Sequence, residues 1–126
     1  MRGDVILYAS ALLAVLKGES GSDAVESLLG QSVISSVNWL EVVQKMIPHG
    51  VTNEDLRQTL PEIEVAAFYE PHAAVAAMMH EPTRHLGTSL ADRACLALAA
   101  LRDAKVITAD RALAQADVGV EIQLIR

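Results

Sequence analysis

At 126 residues with 52% hydrophobic side chains, the chain has the length of one domain and enough apolar surface to bury about two thirds of what its unfolded form exposes. A formal net charge of −6, from 16 acidic and 10 basic residues, excludes broad phosphate neutralisation as a grip on nucleic acid, and an aromatic share of only 3% excludes a base-stacking platform. The lone cysteine, Cys95, excludes an internal disulfide and a cysteine-based zinc cluster.

In chain order, Val5-Ile6-Leu7 reads as a short buried strand. The start of the chain carries no apolar run long enough for a signal peptide, and no later run is long enough to span a bilayer, so the expectation is a soluble, cytoplasmic protein with no membrane partner. Ser10 opens a helix that ends at Lys17 with Gly18 as its C-cap. A second helix starts at Ser22 and Asp23, faces Val25, Leu28 and Leu29 inward, and stops at Gly30. Ser32 to Ser35 is a second strand, and Ser36 or Asn38 caps a helix that runs through Met46 to the terminator Pro48-His49-Gly50.

Thr52 begins a fourth helix, with the capping logic Thr-Asn-Glu-Asp, that reaches Leu60 before Pro61. Glu64 to Phe68 is a third strand, and Pro71 sits in the first turn of a helix ending near Pro82. Ser89 caps the next helix, on which Leu90, Ala94, Leu98 and Leu101 recur at helical spacing beside Cys95, a pattern for burial against a flat surface. Val106-Ile107-Thr108 is a strand too short to be a helix, and Val120 to Ile125 closes the chain with strand-like alternation. Strands separated by helices imply βαβ units, hence an α/β domain spanning residues 1–126 with a parallel sheet covered on both faces.

Three acids stand out. Asp92 follows the cap Ser89 by three positions, in the first helical turn, where unpaired N–H groups favour negative charge. Asp110 follows a strand at its carboxyl end, the edge where open α/β sheets bind ligands. Glu41 is one of few ionisable groups on an otherwise apolar helix. Each has a structural reading as well: a capping box for Ser89 and Asp92, a cap for a following short helix at Asp110, and an i,i+4 pair between Glu41 and Lys45. Two carboxylates delivered by a helix N-terminus and a strand end suit a hard cation.

The segments Glu41-Val-Val-Gln-Lys45, Thr88 to Ala99 and Val106 to Ala112 resemble the PIN-domain ribonucleases, and specifically the VapC toxins of bacterial type II toxin–antitoxin systems. The resemblance covers essentially the whole chain, and it rests on the order and spacing of the segments. It implies a PIN-like three-layer sandwich and a metal-dependent endoribonuclease, in which four acids from separate segments hold Mg²⁺ or Mn²⁺ and a metal-bound water cleaves an RNA phosphodiester. It implies RNA as substrate, a cognate antitoxin as inhibitor, and a homodimer. Carried over by motif, the second, third and fourth acids are Glu41, Asp92 and Asp110, the metal ligands by resemblance.

The first acid is missing. Where the family pattern has Val-Ile-Leu-Asp-Ala-Ser, this chain has Val-Ile-Leu-Tyr-Ala-Ser, placing Tyr8 at the position. A carboxylate ionising near pH 4 is thereby exchanged for a larger phenol ionising near pH 10. Asp4 is no substitute, since four strand residues place it about 13 Å away at the opposite end of the sheet. Metal binding is expected to weaken, and the rate to fall by at least about 10²–10³, the usual consequence of losing one preorganised electrostatic contact. Tyr8 then marks either an inactivating change, as selection against a toxic nuclease would favour, or a naturally silent PIN-fold module kept for binding antitoxin or RNA.

Ser10 and Thr108 are auxiliary candidates whose hydroxyls point toward the same edge. Arg93 and Arg111 each follow a site acid and suit charge neutralisation or RNA contact, while Arg84 and His85 read as solvated loop residues. His49, His72 and His80 lack metal-ligand spacing and read as surface residues, and Asp117 is a candidate outer ligand. An apolar groove for the antitoxin is expected around Leu12, Leu16, Trp39 and Val43. No Gly-rich Walker-type loop is present, and the absence of Asp after the first strand counts against a phosphatase with an aspartyl nucleophile.

Overall fold

The computed structural model describes residues 4–126, so the reading of the first residues, Met1 to Gly3, lies outside it. Five strands, β1 (Val5–Leu7), β2 (Ser32–Ser35), β3 (Glu64–Ala66), β4 (Lys105–Thr108) and β5 (Ile122–Leu124), form one sheet in the order β3-β2-β1-β4-β5. Every pairing is parallel, with Leu7 opposite Ile107 and Ser35 opposite Ala66 near the carboxyl edge. The helices are α1 (Ala9–Lys17), α2 (Ser22–Glu26), α3 (Ser36–Met46), α4 (Asn53–Thr59), α5 (Glu70–Met78), α6 (His80–Thr83) and α7 (Leu90–Arg102). The expected three-layer α/β sandwich is the observed architecture.

The strict alternation of side chains along a strand divides β1 between two cores. Val5 and Leu7 join Leu12, Val25, Ile34, Trp39, Val42 and Leu56 on one face, and Ile6 and Tyr8 join Val33, Cys95, Leu96, Leu98 and Val106 on the other. Because both faces are covered, the central strands read as continuous apolar runs without alternation. At the amino edge Asp4 pairs with Arg102 at 3.4 Å, which also binds Glu64, so Asp4 is held at the end of the sheet opposite Asp110.

Several local expectations change. Leu90 and Leu101 are 77% and 48% exposed, while the continuous stretch Ala94 to Ala99 is buried. The small alanines let α7 lie between the sheet and α5, so burial follows the middle of the helix all round and its ends protrude. The first helix begins at Ala9 with Tyr8 as an N-cap that makes no side-chain capping bond, and Ser10 is therefore not the cap. Ser35, the last residue of β2, caps α3 through the Val37 N–H at 3.2 Å, in place of Ser36 or Asn38. The expected helix up to Pro82 breaks at Met79 into α5 and the short α6, whose first turn tolerates the proline because its N–H needs no partner there. The closing strand is shorter than Val120 to Ile125, and Leu12 and Trp39 are core residues with Leu16 and Val43 packed at the margin, so they form no open groove.

Candidate active site

The strand order reverses direction between β1 and β4, and in parallel sheets the crevice beyond the carboxyl ends at such a point is the usual ligand site. Tyr8 leaves β1 there, its N–H bonded to the Ile107 carbonyl at 3.0 Å, and Asp110 leaves β4 beside it. A cleft of about 290 Å³ opens at this edge, lined by Tyr8, Ser10, Lys17, Glu41, Lys45 and Asp110 among others.

Each acid is placed by a local device. Asp92 forms a reciprocal capping box with Ser89, accepting the Ser89 N–H at 2.8 Å while the serine hydroxyl accepts the Asp92 N–H at 3.0 Å. Its other oxygen accepts the hydroxyl of Tyr8. Asp110 caps the turn that follows, accepting the N–H groups of Ala112 and Leu113 at 2.9 and 3.1 Å. Glu41 accepts the Asn38 side-chain amide at 3.2 Å, and the i,i+4 pair with Lys45 is not among the ion pairs of the described residues. Ser10 and Thr108 share a hydrogen bond at 3.2 Å, with Ser10 Oγ accepting the Ala109 N–H and Thr108 Oγ1 accepting the Asp110 N–H. The two hydroxyls thus fix the backbone that carries Asp110.

Tyr8 is nearly enclosed, and burial is the main reason its phenol is pushed far above the ordinary tyrosine range. The Asp92 hydrogen bond and charge push it the same way, followed by the charges of Glu41 and Asp110, so all three acids act on this one hydroxyl. Cys95 behaves alike: burial raises its thiol, with Asp92 and Glu41 adding to the effect, which makes it inert packing.

The remaining candidates lie elsewhere. Arg93 turns from the acids toward α5, where it reaches the Ala76 carbonyl at 3.4 Å and lines an apolar hollow with Val37, Phe68 and Leu90. Arg84 pairs with Glu81 on the surface, and Arg111, His85, His49, His80 and Asp117 are exposed. His72 is half-buried, accepting the Tyr69 N–H at 3.0 Å with its ring beside Phe68 and Tyr69, so it is a loop organiser more than a free surface residue. Asn38 and Arg126 are the residues that sequence reasoning missed. Asn38 carried the signal of standing three residues before Glu41, whereas Arg126 reaches the cleft only through tertiary packing of the chain end.

The fit to a divalent cation can be tested on the donors present. Among the described residues no group of three or more His, Cys, Asp or Glu side chains stands close enough to hold one ion. Tyr8 takes one oxygen of Asp92, Ser89 takes the other, and one oxygen of Asp110 is committed to two backbone amides. Mg²⁺ is octahedral and is held through one or two carboxylates with water in the remaining positions, but Asp92 has both oxygens taken and the acids do not converge on one point, so the edge as it stands does not suit it.

The fold and this edge define the class of parallel α/β proteins with an acidic switch point. Within that class the PIN domain model matches residues 5–119, and the chain belongs to the PIN domain family. Solved structures that share the fold include a toxin–antitoxin complex from Klebsiella pneumoniae (18% identity, 98% of each chain covered, TM-score 0.78), DNA-bound VapBC from Salmonella typhimurium (14% identity, 99% and 100% covered, TM-score 0.77) and FitAcB from Neisseria gonorrhoeae (20% identity, 96% and 97% covered, TM-score 0.77). No curated protein matches the sequence. No helix of the described residues is long and apolar enough to cross a membrane.

Proposed function

We propose that this chain is a VapC-type toxin module of a toxin–antitoxin pair, built on a metal-dependent ribonuclease scaffold whose hydrolytic edge Tyr8 has closed. As written it does not cleave RNA at an appreciable rate, and what it retains is binding of a cognate antitoxin, as a homodimer. The observation that carries this reading is the Tyr8 hydroxyl on Asp92, at the position where the family pattern has an acid. The phenol keeps its proton, so it adds no negative charge to the edge and withholds one carboxylate oxygen from any cation. The solved toxin–antitoxin and VapBC complexes with this fold support the partner assignment.

No hydrolytic step is assigned to the chain as written. Glu41, Asp92 and Asp110 keep the orientation of an acidic edge because each is tied into its own element, and a carboxylate at position 8 would supply the missing ligand and release Asp92. The test compares the chain as written with Tyr8→Asp on structured RNA with Mg²⁺ or Mn²⁺, using Asp92→Asn in the revertant as control. Cleavage by the revertant alone, abolished by the control, is the expected result. Equal cleavage by the chain as written, lost on Asp92→Asn, would overturn the closed-edge reading. If neither cleaves while both fold, the ribonuclease scaffold falls and only antitoxin binding remains.

A further inference from the structure

We propose that Asn38 is a positioning residue that sets Glu41 against Asp92, an inference that rests on reading this edge as a closed nuclease centre. Asn38 lies in the first turn of α3 and is wholly buried. Both donors of its carboxamide are used, and both at this edge. Nδ2 donates to Glu41 Oε1 at 3.2 Å, on its own helix, and to the Ala91 carbonyl at 3.0 Å, on α7. Ala91 immediately precedes Asp92, so one amide joins the helix carrying the second acid to the turn carrying the third.

The other half of the amide argues that this placement is its purpose. Asn38 Oδ1 is buried and has no hydrogen-bond partner among the described residues. A buried carbonyl without a donor is a net cost to folding, and an apolar side chain of similar volume removes that cost. Neither partner depends on the amide for its own solvation. Ala91 lies within α7, where carbonyls accept the N–H four residues on, and Glu41 is only partly buried and borders solvent. Stability alone would therefore favour an apolar side chain that fits this space, and asparagine gains only the fixed spacing of two carboxylates. Departures from local stability of this kind concentrate at functional sites. Ser10 and Thr108 perform the matching task for Asp110 on the other side of Tyr8.

The inference separates from a structural role because the two predict opposite changes in stability. Asn38→Leu is compared with its parent in the Tyr8→Asp background, measuring the melting temperature together with kcat and KM on structured RNA. The expected result is an unchanged or higher melting temperature, a kcat lower by about 10–100-fold, the usual effect of removing a supporting hydrogen bond, and a KM within about twofold. Asn38→Thr, which keeps one donor, falls between parent and leucine variant. Parental kcat in Asn38→Leu overturns the inference while leaving the nuclease reading intact. If Tyr8→Asp itself is inactive, the nuclease reading fails, and the strut is decided in the chain as written by NMR. There Glu41→Gln shifts the Asp92 backbone amide resonance, and Asn38→Leu abolishes that response. A response that persists without Asn38, or none with it, overturns the inference.

Discussion

Tyr8→Phe isolates the bond on which the proposed closure of the edge depends, since it removes the hydroxyl and keeps the ring. The lost interaction is a hydrogen bond to a carboxylate, in the class worth about 1.5–3 kcal/mol. Asp92 borders solvent and can recruit water in exchange, so the lower part of the range applies, about 1.5–2 kcal/mol. With 126 residues and an unfolding entropy of about 2.1 cal/mol/K per residue, the melting temperature should fall by about 6–8 °C. Tyr8→Asp also empties the ring's place in the core beside Ile6, Val33 and Leu96, and adds a charge facing Glu41, Asp92 and Asp110. Loss of a buried aromatic costs about 3–5 kcal/mol, or about 11–19 °C, when no cation is present. If the added carboxylate completes a cation site, Mg²⁺ at a hundredfold excess over its Kd returns about 2.7 kcal/mol, or about 10 °C. Calorimetric melts of the three proteins with Mg²⁺ and with chelator measure both effects. An unchanged melting temperature in Tyr8→Phe would refute the hydrogen bond. A Mg²⁺ response in the chain as written equal to that of Tyr8→Asp would refute the closure of the edge.

Three further outcomes are expected. The folded phenol of Tyr8 holds its proton to higher pH than the unfolded one, so its contribution to stability is complete below about pH 10 and declines as pH rises beyond. Urea midpoints across that alkaline range should therefore drop in the chain as written by more than in Tyr8→Phe. Gly21→Ala places a Cβ against the Ile125 carbonyl at a φ of 90°, where L side chains are strained, and should cost at least about 2 kcal/mol in a denaturant titration. Because Arg126 is tied to Ser20 and Glu19 beside that contact, the variant should also disturb the cleft wall, visible as shifted Arg126 side-chain NMR signals. Cys95, buried with its thiol pushed up, should resist a thiol reagent in the folded protein and react only at the global unfolding rate.

The strands were legible because burial on both faces leaves runs such as Val5 to Leu7 and Val106 to Thr108 with nothing but apolar and β-branched choices, and a parallel sheet covered by helices allows little else. The capping boxes at Thr52 and Ser89 were legible for a similar reason, since donor and acceptor are both set by a spacing of three. What stayed hidden depends on contacts across the chain. Leu90 and Leu101 carry the helical period but lie beyond the area that the sheet and α5 cover, and no pattern within one helix reports where its neighbours end. Ser10 reads as a cap because nothing local shows that Thr108 and Ala109 arrive from 98 and 99 residues away to take its hydroxyl. Arg93 follows an acid in sequence, yet successive helical residues diverge by about 100°, and that rotation is enough to turn it onto α5.

The structural and the chemical readings of the acids are compatible, and that has a consequence for how such a centre is lost. Asp110 closes a turn with the same carboxylate that lines the crevice, Asp92 closes one with the carboxylate that meets Tyr8, and Glu41 holds an amide from its own helix. Their orientation is therefore maintained by local hydrogen bonds that do not depend on a cation. In an edge where all charge was held by the ion, losing one ligand would leave the remaining carboxylates repelling one another with nothing to fix them. Here the tyrosine supplies a neutral donor to the one oxygen of Asp92 that its capping box leaves open, and satisfies it. On the proposed reading, chemistry at this edge is switched off at position 8 alone while the sheet and the caps stay in place, so that the loss of an acid need not be the loss of the fold.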